Sequence, residues 1–239
     1  DRRLAGGARS LAGWRLINLD LTWRTEDLLE RSVAQALFLG CTFAEGTTES
    51  VRRAGGIVMP TIPDTPVDPY RASLYSPRDL YDTAHYRDSV DARAYAWSQG
   101  RGDTEDDLAR SLHDHAIDGA LTTWVEGRSV VGVMGGHALE RGSAGYADAA
   151  RLGHALARTL TVATGGGPGA MEAANLGAWL SGEPTATLDD ALAELAAVPS
   201  FRPDVGAWAR AAFALIDGHS GGESLGIPTW HYGHEPPNA

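Results

Sequence analysis

Residues 130–178 read VVGVMGGHALERGSAGYADAARLGHALARTLTVATGGGPGAMEAANLGA. Two short apolar runs each end in a glycine cluster, and each cluster feeds a helix-patterned segment. Strands joined through a helix run parallel, with a right-handed connection. An open parallel sheet leaves a crevice beyond the carboxyl ends of its strands. Helix N-termini facing that crevice offer N–H groups that suit an anion. The stretch therefore predicts a βαβα unit with a site for a nucleotide or another phosphorylated small molecule.

On either side of it the chain alternates strand and helix signals. RLINLDL (15–21) and ALFLGCTF (36–43) are strand candidates, and TEDLLERSVAQ between them reads as a short capped helix or turn. The two strand pieces faintly resemble rungs of a ladder, but two pieces do not make a solenoid, so no internal repeat is expected. TTESVRRAG predicts a short helix and GIVMP a third strand. Prolines 63, 66, 69 and 77 make 61–77 an irregular loop, with Tyr70, Tyr75, Tyr81 and Tyr86 read either as facing a ligand or, the commoner use, as packing the loop against the sheet. Leu108, Leu112, Ile117, Leu121 and Trp124 mark a helix with an acidic first turn. His113 and His115 on it diverge and make poor joint metal ligands.

In the central stretch, 130–134 predicts a buried strand, 146–159 a helix, 160–163 a second strand, and AMEAANLGAWLSG a helix capped by Gly182. Residues 188–198 and 205–216 predict two flanking helices, and 227–232 a returning strand. The expected fold class is α/β: a Rossmann-like doubly wound parallel sheet with flanking helices over 126–239, plus an N-terminal α/β layer over 1–125.

Charge and cysteine usage narrow the function classes. A formal net charge of -11 without clustered Lys or Arg argues against nucleic acid as a partner. Cys41 is the single cysteine, so no intrachain disulfide or cysteine-based zinc site can form, and a cytoplasmic setting is expected. Neither a signal peptide nor an 18-residue apolar run is present, so no membrane partner is expected.

The candidate binding residues are Gly135, Gly136, Gly165, Gly166, Gly167, Gly169, Met171 and Glu172. Consecutive glycines admit left-handed angles and let a ligand approach the backbone. The spacing is neither the dinucleotide G-x-G-x-x-G nor a P-loop, since no Lys follows. The alternative is a tight turn serving only helix–sheet packing. Arg141 is read either as reaching a phosphate or as a solvated surface residue. Glu172 is favoured by its place in a helix's first turn, or grips a ribose hydroxyl. His231, His234 and Glu235 suit zinc or a general base, though local turn hydrogen bonds are the commoner use. Ser220 and Ser224 lack the nucleophile-elbow spacing. No metal and no cofactor are expected.

At GGGPGAMEAANLGA the chain resembles the Lonely Guy-like family of Rossmann-fold proteins, often mislabelled lysine decarboxylases. There a first strand ends in a small-residue turn, a helix follows, and the second strand ends in GGG-x-x-G-x-M. Residues 131–136 match the first part. Gly165, Gly166, Gly167 and Met171 match the second, offset by one residue. The likeness spans about residues 128–180. It implies a doubly wound fold, a homodimer, and binding of a nucleoside 5'-monophosphate, with release of the base by N-glycosidic hydrolysis in active members. Those members use a later PGG-x-GT-x-x-E segment and an Arg from an intervening helix. These 239 residues contain no such segment: SGGES (220–224) is a poor substitute, and Arg210 lacks the family's Arg-Lys pairing. Either the segment follows Ala239 in a longer chain, or the chemistry is lost and the protein is a nucleotide-binding sensor or scaffold. An NAD(P)-linked oxidoreductase is weaker, because no ribose selector is identifiable.

Overall fold

The computed structural model describes residues 7–100 and 102–228. They form an α/β protein with two three-stranded, wholly parallel sheets flanked by helices. The chain divides into two compact units, one drawn from residues 7–74 and 102–120, the other from 75–100 and 121–228. The doubly wound sheet expected over 126–239 is therefore a three-stranded one, and the N-terminal region carries a second sheet of its own.

In the first unit β1 (Arg15–Ile17), α1 (Thr25–Leu29), β2 (Leu37–Leu39), α2 (Thr47–Arg53) and β3 (Ile57–Met59) follow one another in order. The strands stack as β1-β2-β3, pairing Leu16 with Phe38 and Phe38 with Val58. Their offsets are 22 and 20 residues, so the chain does coil repetitively, contrary to the expectation of no repeat. The backbone keeps the same beat. Gly13, Gln35 and Gly55 all have positive φ two residues before a strand, and Asn18 and Gly40 both do so directly after one. Bonds outside the strands, such as Leu11 N–H to Ser32 O and Gln35 N–H to Gly55 O, lengthen the ladder. Leu11, Leu16, Leu21, Leu28, Val33, Phe38 and Val51 fill the coil interior. Each such side chain contributes about 1.5–3 kcal/mol on burial. Tyr70 closes over the β2 turn, its ring beside Gly40 and its hydroxyl donating to Pro60 O at 2.8 Å.

Helix α5 (Thr104–Val125) begins with the Asp103 carboxylate accepting the N–H groups of Glu105 and Asp106. Its buried positions are Ala109, His113 and Ile117, whereas Leu108 is exposed. The inward stripe is thus rotated by about one residue from the expected one. His113 is buried and His115 exposed, so the two do diverge.

The second unit holds α3 (Pro77–Tyr81), α4 (Val90–Gln99), β4 (Val130–Val133), α6 (Ala144–Leu156), β5 (Thr161–Thr164), α7 (Ala170–Trp179), α8 (Thr185–Leu195), α9 (Val205–Gly218) and β6 (Leu225–Gly226). β5 lies between β4 and β6, with Val133 opposite Thr164 and Thr164 opposite Gly226. The strand at 130–133 is an edge strand rather than a buried one: Val130 is 44% exposed, and Met134 beyond it 73%. Tyr81 and Tyr86 stack face to face and both donate to Asp91.

Helices α6 and α7 meet backbone to backbone. A Cβ added at Gly153 would lie 2.1 Å from Ala174 O, and one at Gly177 would lie 1.9 Å from Ala150 O. Only glycine permits that approach, and it fixes where the two turns preceding these helices lie. Tyr146, Ala150, Ala173, Leu180, Leu188, Leu192, Leu195 and Leu215 complete this core. Gly182 does not cap α7. The helix ends at Trp179, whose carbonyl is taken by Gly222 N–H at 2.7 Å. Gly221 lies flat on the Trp179 indole, where a Cβ would collide with the ring, which gives the glycines of SGGES a packing role.

Candidate functional site

Both glycine turns lie at the carboxyl ends of neighbouring parallel strands, and they touch. Gly135 and Gly136 leave β4 with positive φ. Gly136 O then accepts the N–H of Leu139 and that of Ala170, the first residue of α7, each at 3.1 Å. Gly169 is the residue before α7 and also has positive φ, with its Cα against Gly136 O; a Cβ there would sit 2.2 Å from that oxygen. Gly165 lies between the Met134 and Met171 side chains. Gly166 is exposed, has positive φ and adjoins Gly226 and Pro228, while Gly167 is half-buried. The structure thus brings Gly135, Gly136, Gly165, Gly166, Gly169 and Met171 together.

Thr164, buried at the end of β5, holds the second turn from below. Its hydroxyl oxygen accepts Gly166 N–H at 3.0 Å and Asn175 Nδ2 at 2.9 Å, and its carbonyl accepts Ile227 N–H at 2.8 Å. Asn175 was not singled out from sequence, although a lone amide in the Ala- and Gly-rich AMEAANLGA was the available signal. Its Oδ1 is buried without a partner among the described residues.

Gly169 gives α7 no side-chain cap. Of the first-turn N–H groups, Ala170 donates to Gly136 O, whereas those of Met171 and Glu172 meet no acceptor among the described residues. An N-terminus of this kind favours negative charge. By contrast Ser143, in the turn after β4, is committed: its hydroxyl caps α6 by accepting Tyr146 N–H.

Arg141 takes neither of the places expected for it, whereas Glu172 does lie in the first turn of α7, its carboxylate turned onto Arg141. Arg141 is neither a solvated residue nor one reaching toward the crevice; its side chain is 1% exposed and closes on Glu172. Nε and Nη2 both donate to Oε1 of that carboxylate, the former at 2.8 Å. Nη1 donates to Val198 O and Trp208 O, the backbone N–H donates to Pro199 O, and the guanidinium lies 4.7 Å from the centre of the Trp208 ring. Burial raises the Glu172 pKa, with Arg141 pulling against it. Tyr146 is buried beside the pair, and its phenol is raised by burial and by the Glu172 charge. Its hydroxyl faces that pair from just outside hydrogen-bonding geometry. Trp208 carried no sequence signal for this role.

His231, His234 and Glu235 lie outside the described residues. Among the described residues no cluster of three or more His, Cys, Asp or Glu side chains could hold a metal ion. No helix among them is long and apolar enough to cross a membrane.

In comparisons with protein families, curated proteins and solved structures, nothing matches this chain significantly. Its chemistry is therefore read from its own residues.

Proposed function

We propose that the second unit is a Rossmann-like domain that binds a nucleoside 5'-monophosphate or a closely related phosphorylated ligand. The ligand would sit at Gly135–Gly136 and Gly165–Gly169, with Met171 against it. The observation that carries this reading is the start of α7. Two first-turn N–H groups without acceptors among the described residues open from a glycine turn, at the carboxyl ends of parallel strands, against a second glycine turn. The N–H groups would hold the phosphate while the glycines leave room for it. Glu172 would border the site with its Oε1 held by Arg141. The likeness of GGGPGAMEAANLGA to the Lonely Guy-like family supports the ligand class, a homodimer and N-glycosidic hydrolysis as the reaction, and the single cysteine supports a cytoplasmic setting.

A second reading, a non-catalytic nucleotide-binding sensor or scaffold, is favoured by one specific observation. The 239 residues contain no PGG-x-GT-x-x-E, so the carboxylate that would stabilise an oxocarbenium-like transition state is missing from its usual motif. Incubation with a panel of nucleoside 5'-monophosphates, followed by chromatography for free base, separates the two. Base release from one of them supports the hydrolase. Saturable binding of one without release supports the sensor. Absence of both overturns the proposal.

A further inference from the structure

Arg141 stands at a junction of three segments around the glycine turns. It belongs to the loop leaving β4, its fork grips a carboxylate in the first turn of α7, and its remaining donors reach two carbonyls near the α8–α9 link. Trp208 of α9 covers the guanidinium face. A 1% exposed Arg serves a structure poorly as a source of stability, because both charges lose their hydration and apolar residues of similar volume often do as well or better. What such a pair adds is direction: the planar fork fixes where the carboxylate, and the helical turn bearing it, must lie.

We infer that Arg141 is the positioning residue of the phosphate-binding turn, holding the first turn of α7 against Gly136 through Glu172. The inference rests on the function proposed above for what the turn binds, but not for how the turn is held. The Ala170 N–H to Gly136 O bond is the contact the fork keeps closed, and it sets the neighbouring Met171 and Glu172 N–H groups beside the Gly136 turn. A lysine at 141 would keep the charge and lose the fork.

The test compares the wild type with Arg141→Lys and with the apolar double variant Arg141→Met/Glu172→Leu. Three quantities are read: thermal midpoint, amide exchange at Ala170 and Ala173, and affinity for adenosine 5'-monophosphate. A positioning role predicts that the double variant keeps or regains the wild-type midpoint, while exchange at Ala170 rises at least tenfold above that of other core amides. Arg141→Lys should show the same local rise if the double variant does not fold. Ligand affinity should fall about tenfold in whichever variant shows it. Wild-type protection at Ala170 in a folded variant overturns the inference, and so does exchange that rises equally across the whole unit. If the wild type binds no nucleotide, the proposed function fails on its own, and Ala170 exchange still decides the role of Arg141.

Discussion

At the scale of single residues, Glu172 shows what burial does to an ion pair. Desolvation outweighs the attraction of Arg141 and raises its pKa above the ordinary 4.5. The native state therefore holds that proton more tightly than the unfolded chain does. This contribution to stability is present at low pH and is lost as pH rises from 4.5 through the folded value. Glu172→Gln should flatten the pH dependence of stability in that window, measured by urea unfolding from about pH 4 to about pH 7. An unchanged slope would mean that the carboxylate is not perturbed. Cys41 gives a second residue-scale expectation. Its thiol is buried, donates to Leu16 O at 3.2 Å and has a raised pKa. Iodoacetamide should modify it far more slowly in the native protein than in urea, since the thiolate is the nucleophile; equal rates would contradict the burial.

Among the elements, the crossing of α6 and α7 does most to place the site. Gly177→Ala and Gly153→Ala each insert a methyl into a backbone contact, and each should cost about 1–3 kcal/mol or more by urea unfolding. Gly169→Ala adds strain at positive φ to a clash with Gly136 O, so it should weaken ligand binding as well as stability. Native-like stability in either helix variant would mean the helices are not so close. The strand–glycine–helix order of 130–178 was legible because apolar periods and glycine runs are local signals. The coil of the first unit was not. Its repeat lies in backbone angle and spacing, its left-handed positions are occupied by Gly, Gln and Asn rather than one residue type, and its period shortens from 22 to 20. The edge position of β4 was equally invisible, because VVGV reads alike in an edge strand and a covered one. Arg141 escaped for a third reason: its partners lie 31 to 67 residues away, and nothing in the sequence near it tells a buried Arg from a solvated one.

Across the whole molecule, a net charge of -11 sets the background against which an anion must bind. The proposed site uses backbone N–H groups rather than a cluster of Lys and Arg. Added salt should therefore screen a general repulsion more than it weakens a local attraction. Nucleotide affinity is expected to stay level or improve slightly between low and physiological ionic strength, as measured by calorimetry. A steep fall would point to a basic site elsewhere. The central claim is that phosphate sits on the first turn of α7, and an amide-resolved NMR titration with adenosine 5'-monophosphate tests it most directly. The account predicts saturable shifts led by the Gly167, Met171 and Glu172 amides, with adenosine alone producing much smaller ones. Shifts absent from those three amides at saturation, or equal with and without the phosphate, would contradict it.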